Sequence, residues 1–91
     1  MNSEELAAKY IGSAEFVLAK LTPNPTPIAV SEATVIEVLQ WARDYLADAK
    51  YYKQQNKFET SLTSVAYCEG LLDGLRLMGA VNFEWPTKKE K

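Results

Sequence analysis

The chain has 91 residues, enough for one domain, and its composition of 47% hydrophobic and 24% charged residues is typical of a globular protein. Its formal net charge of -2 argues against nucleic-acid binding through phosphates, which requires a concentrated basic face. Histidine is absent and Cys68 is the only cysteine, which removes the commonest general base and metal ligand and rules out an internal disulfide. We therefore expect no catalytic residue, no metal and no cofactor.

The apolar runs and the N-terminus of the sequence indicate where in the cell we expect the protein. No apolar run approaches the roughly 20 residues of a membrane span, and residues 1–5 lack the basic start of a signal peptide. We expect a cytoplasmic protein without a membrane partner. The basic run at 88–91 is interpreted as a solvated tail. Because so small a domain has a marginal core, we also expect a homodimer.

The first predicted element is a helix over about residues 3–21. Ser3 is expected to cap it, and Glu4 and Glu5 suit the positive end of the helix dipole. Its apolar residues recur every three or four positions, at Leu6, Tyr10, Ala14, Val17 and Leu21. A proline-rich loop over 22–30 follows, in which alternating prolines exclude helix and favour a stiff, extended connection.

The second predicted helix spans about residues 31–55, with Ser31 as its cap. Its apolar seam has the alternating spacing of a coiled coil, with Val35, Val38, Ala42, Tyr45, Ala49 and Tyr52. Asn56 tolerates the left-handed conformation that ends a helix. The break before the next helix is short, so the two helices are expected to form an antiparallel hairpin.

The third predicted helix spans about residues 58–78 and ends at Gly79. Phe58, Leu62 and Val65 share one face, which we expect to begin in the core. The same face continues with Glu69, Asp73 and Arg76. A second apolar face contains Cys68, whose thiol is expected to be buried and inert.

Two interpretations of the polar half of this face remain open. The charged side chains form a structural ion network at the edge of the bundle, or they line a cleft that binds a small ligand. Gly70 and Gly74 lie one turn apart, and because glycine destabilises a helix interior, the pair predicts the close approach of another helix, the C-terminal tail or a ligand. Helix packing is the preferred reason for such an approach.

The last segment, residues 79–91, alternates apolar and polar residues before Pro86. We expect it to lie extended along the bundle with an aromatic side chain in a groove. A docking peptide for another chain is the alternative. Together with the third helix, it completes the candidate ligand or interaction site, which consists of Tyr67, Glu69, Gly70, Asp73, Gly74, Arg76 and Trp85.

The fold that follows is all-α: a single domain over 1–91, built as a three-helix up-and-down antiparallel bundle with a short extended C-terminal tail. Residues 49–52, 57–59 and above all 66–79 resemble the archaeal domain of unknown function family 357. The resemblance implies a compact helical bundle with no assigned activity. Proteins similar to this family sometimes accompany nucleotidyltransferase-like domains, which implies an accessory or nucleotide-related role.

The functional hypothesis is a non-enzymatic protein-interaction or accessory module that binds a second copy or another protein. The size of the chain, its surplus aromatic residues and the lack of a catalytic constellation favour it. The alternative is a bundle that binds a small ligand or nucleotide, with Glu69, Asp73 and Arg76 lining the pocket. Nucleic acid is not an expected partner.

Overall fold

In a computed structural model, which describes residues 2–25 and 27–86, the chain consists of three helices. They are α1 (Ser3–Lys20), α2 (Glu32–Gln54) and α3 (Phe58–Leu77). The described part of the chain contains no strand. The all-α prediction is confirmed, and each helix begins and ends within one residue of its expected position. The basic run 88–91 lies outside the described residues.

The start of α1 differs from the expectation by one residue. Asn2, not Ser3, is the cap, and its side-chain oxygen accepts a hydrogen bond from the backbone N–H of Glu5 at 2.8 Å. A cap must have an extended backbone, as Asn2 does at ψ 174°, whereas Ser3 already lies in the helix. The other end of α1 passes into extended backbone at Leu21, where ψ is 151°.

Helix α2 begins and ends as the sequence predicts. The Ser31 hydroxyl accepts a hydrogen bond from the backbone N–H of Thr34 at 3.1 Å. At the other end Asn56 has a φ of 60°, and the N–H of Lys57 donates to the carbonyl of Tyr52 at 2.9 Å. This is the Schellman arrangement, which satisfies the last carbonyls of a helix and reverses the chain.

Helix α3 ends in the same way. Gly79 has a φ of 77°, and the N–H of Ala80 donates to the carbonyl of Leu75 at 2.9 Å. The start of α3 is weaker, because Lys57 precedes it and makes no side-chain cap hydrogen bond. None of the three helices, within the described residues, is long and apolar enough to cross a bilayer.

The core lies between α2 and α3, which pack as an antiparallel hairpin. Its buried residues are spaced by seven along each helix, with Ala42 and Ala49 on α2 and Cys68 and Leu75 on α3. This is the spacing of a coiled-coil seam. The hydroxyl of Ser61, a further seven residues before Cys68, donates to the carbonyl of Ala49 at 2.7 Å and ties the two helices together.

One predicted core face of α3 is wrong. Phe58 and Leu62 are 56% and 66% exposed, and only Val65 of that face is half-buried. Apolar residues surround much of α3, so spacing alone does not select the face that packs. Burial follows the small residues Ser61 and Cys68, which let the two helices approach.

Helix α1 accompanies the hairpin without packing into it. It contains no buried residue, and none of its Cα atoms lies within 8 Å of a Cα atom of α2 or α3 in the described chain. Its first turns share only an open cleft with the start of α3, lined by Leu6, Ala7 and Tyr10 on one side and by Thr60 and Thr63 on the other. The apolar stripe of α1 therefore remains uncovered.

Candidate functional site

Asp73 holds together the polar cluster at the end of α3. Its Oδ1 atom accepts hydrogen bonds from Arg76 Nε at 3.2 Å and from Arg76 Nη2 at 3.1 Å. The indole Nε1 of Trp85 donates to the same oxygen at 2.9 Å. The structure thus brings together three of the candidate residues, Asp73, Arg76 and Trp85. Because Trp85 lies in the C-terminal tail, its hydrogen bond attaches the tail to α3.

These hydrogen bonds change the acidity of Asp73. The Trp85 hydrogen bond and then the Arg76 hydrogen bonds lower the pKa of the Asp73 carboxyl group, because each stabilises the charged form. Cys68, elsewhere on α3, behaves in the opposite way: burial, followed by the negative charge of Glu69, raises the pKa of its thiol. Asp73 therefore stays ionised at neutral pH, whereas Cys68 stays protonated and inert.

Residues 81–86 of the tail fold back over this cluster. Phe83 is half-buried, and its ring meets that of Trp85 edge-on with centroids 4.9 Å apart. The Arg76 guanidinium lies 5.8 Å from the centroid of the Phe83 ring, within reach of a cation–π contact. The segment 81–86 has no helix or strand, and the hydrogen bond from Trp85 to Asp73 holds it against α3, as the sequence predicts.

The other candidate residues lie apart from the cluster. Glu69 is exposed and takes no part in the hydrogen bonds of Asp73. Tyr67 stacks on Tyr45 of α2 with ring centroids 4.4 Å apart and planes inclined by 30°. A Cβ atom added at Gly70 or Gly74 would meet nothing within 4 Å. The expected close approach of another helix to these glycines is therefore wrong within this chain.

A groove between α2 and α3 places the candidate residue Tyr67 opposite α2 side chains that the sequence did not single out as a site. Trp41, Asp44, Tyr45 and Asp48 from one stripe of α2 line it, with Tyr67 opposite, and its volume is about 380 Å³. No cationic side chain lines this groove. Aromatic rings beside two carboxylates suit a positively charged group. The signal in the sequence is the three- and four-residue spacing of these α2 side chains.

An exposed apolar stripe runs along α1. We call it the α1 apolar face, defined by Leu6, Tyr10, Ala14, Val17 and Leu21. Tyr10 is 63% exposed and Val17 is 55% exposed. Leu18, beside this face, is 70% exposed. Scattered exposed apolar residues are ordinary, whereas this contiguous exposed stripe makes α1 a candidate interaction surface.

A second stripe on α3 is partly exposed, with Leu71 and Gly74 half-buried within it. We call it the outer face of α3, and it comprises Thr63, Tyr67, Gly70, Leu71, Gly74 and Met78. These residues follow helical spacing on the side away from the Glu69 and Arg76 positions. Tyr67 and Met78 are more than half exposed, and a small cleft of about 200 Å³ lies against Tyr67, Gly70 and Leu71.

Comparison with known proteins gives one result. No curated protein and no solved structure matches the chain significantly. A family model described as "Protein of unknown function (DUF357)" matches residues 9–81, which include most of α1, both helices of the hairpin and the turn after α3. The chain therefore belongs to the family of proteins of unknown function DUF357.

Proposed function

We propose that the protein is a non-enzymatic protein-interaction module that self-associates through the α1 apolar face. The observation that carries the proposal is that α1 is an 18-residue helix with an apolar stripe and no buried residue. A helix of this kind gains stability in water mainly by burying its apolar side against another surface. That surface is not supplied by its own hairpin in this structure.

The surface area of the chain supports association. The accessible surface is 7949 Å² for a mass of 10.2 kDa, whereas a compact monomer of that mass exposes about 5,300 Å². The difference between these two areas is the excess exposed surface of the chain. Half of this excess is larger than the roughly 800 Å² that each partner buries in a standard interface. The radius of gyration, 15.9 Å, is likewise larger than the value of about 12 Å expected for a compact chain of this length.

The ligand-binding alternative has less support. It requires Glu69, Asp73 and Arg76 to line one pocket, but the Asp73 oxygen already accepts three hydrogen bonds from Arg76 and Trp85. Glu69 stands outside this cluster. The arrangement favours the structural ion network, in which Asp73 attaches the tail to α3.

The proposal is tested by sedimentation equilibrium of the wild-type chain and of two lysine variants of α1. Val17→Lys places a charge in the α1 apolar face, where dimerisation would have to desolvate it. Glu15→Lys is the matched control, because it places lysine on the opposite side of the same helix. We expect a wild-type dimer whose dissociation constant rises at least about tenfold with Val17→Lys, a loss of about 1.4 kcal/mol.

The control should change the dissociation constant far less. Neither substitution should reduce the helix content, because neither side chain packs on the hairpin. A wild-type chain that stays monomeric at several hundred micromolar would contradict the proposal. Equal effects of the two lysines would contradict the role of the α1 apolar face.

A further inference from the structure

The groove between α2 and α3 has aromatic walls that are open to solvent. We call it the aromatic–acidic groove, defined by Trp41, Asp44, Tyr45, Asp48 and Tyr67. Tyr45 and Tyr67 stack across the two helices with ring centroids 4.4 Å apart. Trp41 is 50% exposed and Tyr67 is 56% exposed. The cations that lie over aromatic rings in the described residues are on α1 and the C-terminal tail, so the rings of this groove are available to a ligand.

Two carboxylates stand beside these rings without a cation. Asp44 and Asp48 are four residues apart on α2, so one turn, about 6 Å along the helix axis, separates them. Like charges at this spacing destabilise a helix. Within the described residues, no lysine or arginine forms an ion pair with either carboxylate. A cation from outside the chain would therefore relieve their repulsion.

A glutamine on the same helix orients one of the carboxylates. The Nε2 atom of Gln40 donates a hydrogen bond to Oδ1 of Asp44 at 2.9 Å. The two oxygens of an ionised carboxylate together accept about four hydrogen bonds. Asp44 is therefore held in place by Gln40 and still has room to accept N–H groups of a ligand.

The lining of the groove favours an organic cation over a metal ion. Ca²⁺ and Mg²⁺ require about six or more oxygen ligands, and the part of the chain that the structure describes has no group of three or more acidic or cysteine side chains that could hold a metal. An ammonium or guanidinium group gains from both kinds of wall, because aromatic faces attract it and carboxylates accept its N–H groups. The volume of about 380 Å³ lies within the range of about 300–1,000 Å³ for small-molecule sites.

We propose that the aromatic–acidic groove binds an organic cation through an ammonium or guanidinium group. The rings of Trp41 and Tyr67 lie against the cation, and Asp44 and Asp48 accept its N–H groups. A free amine and a basic side chain of a partner protein present this same chemistry. The groove belongs to the α2–α3 hairpin, so the inference goes beyond association through the α1 apolar face and does not depend on it.

A proton–nitrogen NMR titration tests the proposal, because the indole N–H signals of Trp41 and Trp85 report separately on the groove and on the tail. Butylammonium chloride is the probe, and butanol is the matched control, since it has the same alkyl chain without the charge. Sodium chloride keeps the ionic strength constant. We expect a saturable shift of the Trp41 signal with butylammonium, binding at least about tenfold weaker with butanol, and little change at Trp85.

Two double variants separate the groove from the general acidity of the chain. Asp44→Asn with Asp48→Asn removes both charges, keeps the side-chain shapes and relieves the like-charge repulsion, so the fold should be retained. Glu15→Gln with Glu32→Gln is the matched control, because it removes two exposed carboxylates outside the groove. We expect the first pair to weaken butylammonium binding at least about tenfold and the second less than about twofold. Equal losses would overturn the proposal.

Two extensions of butylammonium identify the source of the cation. Diaminobutane adds a second ammonium group, as a free polyamine does, and lysine with blocked termini adds a peptide unit, as a partner protein does. The extension that raises the affinity more assigns the site to its own source. Val17→Lys, in the α1 apolar face, should leave butylammonium binding unchanged, so failure of this proposal and failure of the proposed function are distinguishable. No saturable shift at Trp41 with any of these cations would overturn the site.

Discussion

Helix α1, with 18 residues, is comparable in length and apolar spacing to each helix of the α2–α3 hairpin, with 23 and 20 residues, yet the two regions differ in what covers them. The hairpin buries Ala42, Ala49, Cys68 and Leu75 along one seam, whereas α1 buries nothing. The hairpin has a short turn whose Schellman hydrogen bonds reverse the chain, while α1 leads into a proline-rich loop. The comparison shows that an apolar stripe alone does not determine whether a helix is buried. The loop or turn that follows the helix decides which surface the stripe can contact.

The largest effect is expected at the centre of the hairpin. Leu75 is 2% exposed, so Leu75→Ala should lower the free energy of unfolding by about 2–5 kcal/mol, because it removes buried methyl groups and leaves a cavity. Leu77→Ala is the matched control: Leu77 is 75% exposed, and its loss should cost about 0.5 kcal/mol or less. Urea denaturation measures both. Equal losses would show that α3 packs through another face.

The turn after α3 should be the next most sensitive position. Gly79 has a φ of 77°, so Gly79→Ala should destabilise the chain by about 1–2 kcal/mol because the added Cβ atom strains the left-handed backbone. Gly12→Ala in α1 should act in the opposite direction, since alanine favours a helix and nothing lies near that site. Thermal unfolding of the two variants compares the regions. A neutral Gly79→Ala would contradict the Schellman ending.

Hydroxyl deletions give a smaller contrast between the two regions. Ser61→Ala removes the 2.7 Å hydrogen bond to the Ala49 carbonyl and should cost about 1 kcal/mol of unfolding free energy. Ser13→Ala in α1 removes only an exposed bond to the carbonyl of Lys9 within the same helix, so it should be neutral or slightly stabilising. Both are measurable by urea denaturation. A neutral Ser61→Ala would mean that this inter-helix bond adds nothing.

The smallest expected effect concerns pH. The pKa of Asp73 is lowered in the folded chain, so its contribution to stability is fully present above the ordinary carboxyl value of about 4 and is lost as the pH falls through the lowered value. Trp85→Phe removes the largest cause and should raise the pKa of Asp73. A carbon-detected NMR titration follows this carboxyl group, and Glu84→Gln is the control. An unchanged pKa in Trp85→Phe would contradict the attachment of the tail.

Part of the candidate site was predictable because it lies within one helix. Asp73 and Arg76 are three residues apart on α3, and such pairs face each other wherever the helix forms. The bond from Trp85 to Asp73 was not predictable, because it joins the tail to α3 through a turn whose direction only the folded chain supplies. The groove beside Tyr67 was likewise not predicted as a site, because its lining residues come from two different helices.

The sequence by itself determined the helices, their ends and the seam of α2, because caps, glycine turns and apolar spacing act over a few residues. It also identified the family, whose model extends over residues 9–81. The sequence also predicted that Cys68 is buried, but only the tertiary structure decided that the packed line of α3 extends from Cys68 and Leu75 back to Ser61 and leaves Phe58 and Leu62 exposed, because apolar residues occur around most of that helix. The tertiary structure also left α1 uncovered, since burial depends on the path of the loop, and local spacing does not encode that path.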